Sequence, residues 1–211
     1  MANFHFVVDK AHAQRNNELL KDTKRLQLSA AIFSFILLAI GAGFYSWLGA
    51  MVGVIIFACF TIVALISFIL IPVFPRLVGS AQSLYDSYEL VPAIITEINP
   101  RDMSIMALVD ADSTGTNPQP ALAVRTISNL AGHSRTVGEK VPSVAVTGNR
   151  SAANKQTWDQ ISPVPIAWGT PEAAIIKAAT DAIDPAQWEK LEKHLAHYDE
   201  VRKTPFDLLL L

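Results

Sequence analysis

"AIGAGFYSWLGAMVG", residues 39–53, lies in the middle of the chain's longest uncharged run, and its reading decides the fold. No residue between Arg25 and Arg76 carries a formal charge. Such a run far exceeds the roughly 18 apolar residues that mark a membrane-spanning candidate. As one helix it would be about 75 Å long, more than twice the ~30 Å thickness of a hydrocarbon core, so it must be divided. The quoted stretch supplies the division. Gly41, Gly43, Gly49 and Gly53 weaken helix propagation, and the rings of Phe44, Tyr45 and Trp47 suit the headgroup layer. Residues 26–46 and 49–71 then each approach the roughly 20 residues that a bilayer requires. The stretch reads as the bend of a two-span hairpin.

A cleaved signal peptide is the competing account of the first span, because Lys21, Lys24 and Arg25 precede it. The apolar run is too long for one, and no clear small-x-small cleavage site precedes a polar mature sequence. Lys10, Arg15, Lys21, Lys24 and Arg25 lie before the first span, Arg76 follows the second, and the connection is uncharged. Positive flanks stay inside, which predicts both termini in the cytoplasm. Small residues let helices approach closely, so Ala39 and Gly43 on the first span and Gly49, Gly53 and Cys59 on the second are expected at the helix contact. Cys59 is the only cysteine and is expected to be a buried thiol; an intrachain disulfide and a cysteine-based zinc site are excluded. Neither span holds an ionisable side chain, which argues against a transporter or pump acting alone.

Outside the spans the composition is that of a soluble protein. "NFHFVV" (3–8) alternates as a short strand, and Asp9 is placed to cap a helix running directly into the first span. The basic residues of this segment can meet anionic headgroups. From Leu90 the pattern turns to "LVPAIITEI", "MSIMALVD", "ALAVRTISNL" and "EKVPSVAVTG", divided by the turns "NPRD" and "AGHSRTVG" and by "ADSTGTNPQP", which reads as a mobile loop. These short strands predict a small antiparallel barrel or strongly bent sheet. Two helices follow. Thr170 and Pro171 start the first, with Ile175, Ile176, Ala179 and Ile183 on one face. Asp184, Pro185 and Gln187 start the second, with Trp188, Leu191, Leu195 and Tyr198 as its stripe. The expected fold class is an α+β membrane protein: an N-terminal amphipathic segment (1–25), a transmembrane helical hairpin (26–75), and a β-barrel-like cytoplasmic domain with two C-terminal helices (76–211).

The charge balance excludes some partners. Residues 76–211 carry 12 basic and 16 acidic side chains and lack a stacked aromatic motif, so nucleic acid is not an expected partner. The P-loop, GxGxxG, HExxH and GxSxG motifs are all absent from the sequence. No catalytic residue, cofactor or metal is expected. His194 and His197, one helical turn apart, lack a third ligand and read as surface residues. His133, Ser134 and Arg135 form a loop cluster that fits either a phosphate or ordinary turn chemistry. The "GNRS" acceptor at Asn149 has no role inside a cell.

In "ISPVPIAWGTPEA" (161–173) and the residues before it, Trp158 and Trp168 bracket two prolines, placing these tryptophans either over the barrel core or around a groove for a partner. The leucines of "TPFDLLLL" (204–211) should leave water by docking on the barrel, on a partner or at the membrane. Trp158, Trp168, Leu208, Leu209, Leu210 and Leu211 are therefore the expected partner-binding residues.

Together with the hairpin, the stretches "AHAQRNNELLKDTKRLQLS", "LVPAIITEINPRDMSIMALVD", "ISPVPIAWGTPEA" and "VRKTPFDLLLL" resemble an uncharacterised family of two-span membrane proteins from actinobacteria of the corynebacterial and mycobacterial kind. The resemblance covers nearly the whole chain. It implies a bacterial plasma membrane and a cytoplasmic domain, and it carries no assigned activity. By analogy of size and topology, it also points to accessory subunits of the cytochrome bcc-aa3 respiratory supercomplex. Three function classes follow: a non-catalytic accessory or scaffold subunit of a membrane protein complex, a membrane-tethered ligand- or peptide-sensing module, and an enzyme with an unfamiliar site. The uncharged spans and absent motifs favour the first.

Overall fold

The computed structural model describes residues 4–48, 50–78, 80–150 and 156–211. It divides into two units, one of Glu18–Ser80 and one of Met1–Asn17 with Ala81–Leu211.

The first unit is the hairpin. Helices α2 (Glu18–Leu48) and α3 (Ala50–Val78) contain the two expected spans and run past them at their outer ends, where residues such as Glu18, Leu19, Leu20 and Lys21 propagate a helix well. Phe33, Phe35, Ile55 and Ile69 are among many large apolar side chains left exposed by the chain itself, as lipid-facing positions should be. The two helices meet along a narrow seam. Ser34 and Gly41 are buried on α2, as are Gly53 and Ala64 on α3. A Cβ at Gly53 would lie 2.9 Å from the Tyr45 backbone, and one at Gly41 would lie 3.0 Å from Phe60 Cβ.

Gly53 thus sits at the contact expected of it, but the α2 side of the expected seam is corrected. Ala39 and Gly43 are exposed, and a Cβ at Gly43 would meet nothing within 4 Å. Residues two apart on a helix point about 200° apart, so Gly41 and Gly43 cannot share one seam. Cys59 is also exposed, on the outer side of α3 rather than buried. Gly49 lies outside the described residues.

One polar contact crosses the hairpin. Pro75 has no N–H to offer the Ile71 carbonyl four residues earlier, and the Gln27 side-chain amide of α2 donates to that carbonyl at 2.8 Å. Replacing Gln27 with Leu should leave the carbonyl without this donor and destabilise the hairpin by about 1–2 kcal/mol. A thermal or SDS titration of the full chain in detergent measures it, and a Q27L chain as stable as the parent contradicts it.

In the second unit, α1 (Lys10–Asn16) is capped as expected: Asp9 Oδ1 accepts from His12 N at 3.0 Å. The helix then stops. Asn17 takes an extended backbone and is fully buried, so α1 does not run on into the first span. Asn3 of the "NFHFVV" segment lies outside the described residues, and residues 4–8 join no strand ladder among them. Their place in a ladder is taken by one side chain: Gln82, on α4 (Ala81–Ser87), accepts from Val8 N at 2.9 Å and donates to Phe6 O at 2.8 Å.

Two antiparallel sheets follow. One has the order β1 (Leu90–Val91), β5 (Ser143–Thr147), β6 (Ile161–Pro165). The other has the order β2 (Ala93–Ile98), β3 (Met103–Asp110), β4 (Pro120–Ile127), β7 (Leu208–Leu210). Pro92 divides one extended stretch into β1 and β2, which sends its two halves into different sheets. The outer side of β2 is further held by residues 138–141, with Ile95 N donating to Glu139 O at 3.1 Å and Val141 N to Ala93 O at 2.7 Å. No ladder among the described residues joins β6 to β4 or β7, so the bent sheets stay open where a closed barrel would have a seam.

Helices α5 (Ala173–Ala182) and α6 (Pro185–Lys193) match the two expected from sequence. Ile176, Ala179 and Ile183 are buried, as are Trp188 and Leu191. Both boundaries differ from expectation. Thr170 Oγ1 accepts from Glu172 N in a turn, and α5 starts at Ala173. At the other end, α6 stops before His194, so Leu195–His197 form a 3-10 turn and Tyr198–Val201 a separate short helix, α7.

Candidate functional site

The side chains expected to act fall into five places. Trp168 is fully buried; its Nε1–H donates to Asn129 O at 2.8 Å, and the Arg125 guanidinium lies 5.1 Å from its ring centroid. It presents no surface to a partner. Of the two roles considered for it, the one the structure shows is filling the core. Nearby, Gly169 lacks a side chain for a reason: a Cβ there would lie 2.8 Å from both Phe6 Cζ and Tyr85 Cε2. Tyr85 is almost fully buried; its hydroxyl donates to Pro165 O at 3.1 Å and accepts from Asn17 Nδ2 at 3.4 Å. Burial pushes the phenol well above its usual range, which keeps it protonated and a donor.

Trp158 is half-buried, its backbone N–H donates to Ala111 O, and Arg150 lies over its ring at 5.4 Å. It closes the end of the sheets beside the loop that leaves β3. That loop, "ADSTGTNPQP", is built by carboxylates rather than left loose. Asp110 Oδ1 accepts from Asp112 N and Gln119 N, and Asp112 accepts from Thr114 N, Thr114 Oγ1 and Asn117 N. The Thr114 hydroxyl, followed by the Thr114 and Asn117 amides, lowers the Asp112 carboxyl to about 2. A carboxyl depressed in the fold contributes order above its ordinary value, roughly 4, and loses it as pH falls through its folded value. The Thr114 and Asn117 amide resonances should therefore titrate with a midpoint near 2. A midpoint near the ordinary value, or no dependence on an Asp112→Asn change, contradicts this account.

The loop cluster at His133 is occupied from within. His133 Nδ1 meets Glu139 Oε1 at 3.2 Å, Ser134 Oγ donates to Glu139 Oε2 at 2.7 Å, and Arg135 Nη2 donates to the Asn99 and Asp102 carbonyls of the β2–β3 turn. Burial raises the Glu139 carboxyl, but the bonds from Ser134 and His133 outweigh it, and the net shift is downward. The phosphate reading is corrected accordingly: the centre of the cluster is a carboxylate, and the arginine is spent on backbone. An open groove of about 500 Å³ beside it is lined by Lys177 and Asp181 as well as His133, with no single sign of charge. His133 Nε2 is buried and has no hydrogen-bond partner among the described residues.

His194 and His197 are surface residues, bonded to Lys190 O and Glu200 Oε2 respectively. No group of three potential metal ligands occurs among the described residues.

The leucine tail is where sequence reading and structure join. Of the docking choices open to it, the tail takes the chain's own sheet: Leu208, Leu209 and Leu210 pair with Ala123, Leu122 and Ala121 as β7, and Leu211 N donates to Pro120 O at 2.9 Å. Leu210 and Leu211 remain 49% and 45% exposed. Immediately before them Phe206 is 53% exposed, and Phe206 and Asp207 hold φ values of 59° and 52°. Two consecutive left-handed residues, one of them bulky, are strained, and Arg202 Nη1 to Asp207 Oδ2 at 2.9 Å helps to hold them. Nothing in the residue types announces this kink, since neither residue is glycine or asparagine.

Residues 76–199 match the family described as "Protein of unknown function (DUF3239)". The chain belongs to the DUF3239 family. A solved structure described as a "putative membrane protein" from Corynebacterium diphtheriae is 50% identical, with a TM-score of 0.55, and matches over 58% of this chain and all of its own. No curated protein matches. In this DUF3239 chain, two helices are long and apolar enough to cross a bilayer.

Proposed function

We propose that the chain is a non-catalytic accessory or scaffold subunit of a larger complex in the bacterial plasma membrane, with both termini cytoplasmic. The observation that supports this best is the clustering of exposed apolar side chains on the sheet unit. Phe206, Leu210 and Leu211 fall within six residues of one another beside a strained backbone. An apolar group held on a rigid ladder is a surface for another protein to cover. Trp158, half-exposed at the end of the sheets, is a second contact in this reading. The orientation rests on the basic residues that precede the first span, Lys21, Lys24 and Arg25 above all.

The test is capture of the tagged full-length chain from native membranes, cross-linked before detergent extraction and identified by mass spectrometry. A stoichiometric membrane complex is the expected result, with the cytochrome bcc-aa3 supercomplex as one case the experiment addresses. Phe206→Ser with Leu210→Ser should cut its recovery severalfold and leave membrane insertion unchanged. A chain that copurifies with nothing refutes the accessory role and turns attention to ligand sensing. A reporter fused after Leu211 and found outside the cell refutes the topology.

A further inference from the structure

We propose that β7 is a pairing edge for a second copy of this chain, joining two four-stranded sheets into one continuous antiparallel sheet about a two-fold axis through Leu209. The proposal rests on the reading of the tail as an interaction surface and names its occupant.

The ladder fixes which groups are free. Leu211 N donates to Pro120 O, and Leu209 pairs with Leu122, so the odd-numbered residues of the tail turn their N–H and C=O toward β4. Antiparallel alternation then turns those of Leu208 and Leu210 to the outside. Two outward positions separated by one residue are self-complementary. With a two-fold axis at Leu209, Leu208 of one copy faces Leu210 of the other, and four backbone hydrogen bonds form with no change of register. No formal charge lies on Leu208, Leu209 or Leu210 to oppose the pairing, and two membrane-held copies meet at raised effective concentration.

The other end of the sheets shows what a protected edge looks like in this fold. Ile166 N donates to Pro142 O and Gly148 N to Gln160 O, so the even-numbered residues of β6 face β5. The outward positions are Ile161, Pro163 and Pro165, and the two prolines have no N–H to offer. The outer side of β2 is covered by residues 138–141. Among the described residues, β7 is thus an edge with neither proline, charge nor covering segment.

The test uses the full chain in lipid nanodiscs, with Cys59→Ala to remove the native thiol. Leu209→Cys places two sulfurs across a non-hydrogen-bonded pair with Cα atoms about 4.5 Å apart, within disulfide range. Mild oxidation should give about tenfold more covalent dimer than Val137→Cys, an exposed position outside any strand. Adding Leu210→Pro, which removes an outward N–H and leaves the β4 ladder intact, or Leu210→Lys, should return the yield to that of the control. Circular dichroism confirms that each variant is folded. Equal yields from Leu209→Cys and Val137→Cys, or a yield indifferent to both Leu210 changes, overturns the proposal. So does a Leu209→Cys chain that in native membranes links only to a different protein, which assigns the edge to that protein. Self-linking without any captured complex sustains the pairing edge and removes the accessory role, so the two failures are distinguishable.

Discussion

Trp168→Ala should lower the stability of the sheet unit by about 3–5 kcal/mol, the range for removing a large aromatic side chain from a close-packed core. The side chain is fully enclosed, so its whole volume becomes a cavity, and three further terms act in the same direction. The Asn129 carbonyl loses its indole donor, Arg125 loses the ring face it lies over, and the tight packing around Gly169 loses its neighbour. Against a typical total of about 5–15 kcal/mol, such a loss leaves the unit near its unfolding limit at growth temperature. Chemical denaturation followed by circular dichroism measures it. Trp168→Phe should fall between the parent and the alanine variant, because it keeps most of the volume and loses the N–H. A Trp168→Ala chain within about 1 kcal/mol of the parent would show that the core is not organised around this residue.

Excising residues 18–80 and joining Asn17 to Ala81 through a short Gly/Ser linker should convert a detergent-requiring chain into a water-soluble domain that unfolds cooperatively. Two observations carry this. The exposed Leu, Ile, Phe and Val side chains are concentrated on α2 and α3, so their removal takes away most of the surface that water rejects. The cut ends also belong to one folded unit: Asn17 reaches the Tyr85 hydroxyl and Val8 is bonded to Gln82. Deleting residues 1–80 instead should give a weaker domain, because Phe6, Val8 and Asn17 leave with the deletion. Comparison of the two products by sedimentation and thermal melting settles it. Precipitation of both, or equal melting temperatures, contradicts the account.

Much of this architecture is legible in the chain because it is written in local pattern. The uncharged run between Arg25 and Arg76 marks the two long apolar helices, and Asp184 followed by Pro185 starts α6 where it should. What escaped depends on contacts distant in sequence. Which small residues form the helix seam is a matter of rotational phase: Gly41, Gly43 and Gly53 look alike in the sequence, and only packing against Tyr45 and Phe60 separates them. A three-leucine run has no periodicity to mark it as a strand, and its partners, Ala121 to Ala123, lie more than eighty residues earlier. The N-terminal segment looked like a strand because its alternation is real. Its ladder partner is the amide of Gln82, which no strand pattern can announce.

The attachment of Asn17 to Tyr85 and of Phe6 to Gln82 also orders events during synthesis. The first seventeen residues leave the ribosome before either span, but everything they pack against is made afterwards. At about 5–20 residues per second, the sixty-odd residues between them take several seconds to emerge. Throughout that interval the leading segment has no native neighbours, and its unit is completed only after both long helices have been made. Any pause while the two helices are synthesised therefore prolongs the lifetime of an incomplete domain.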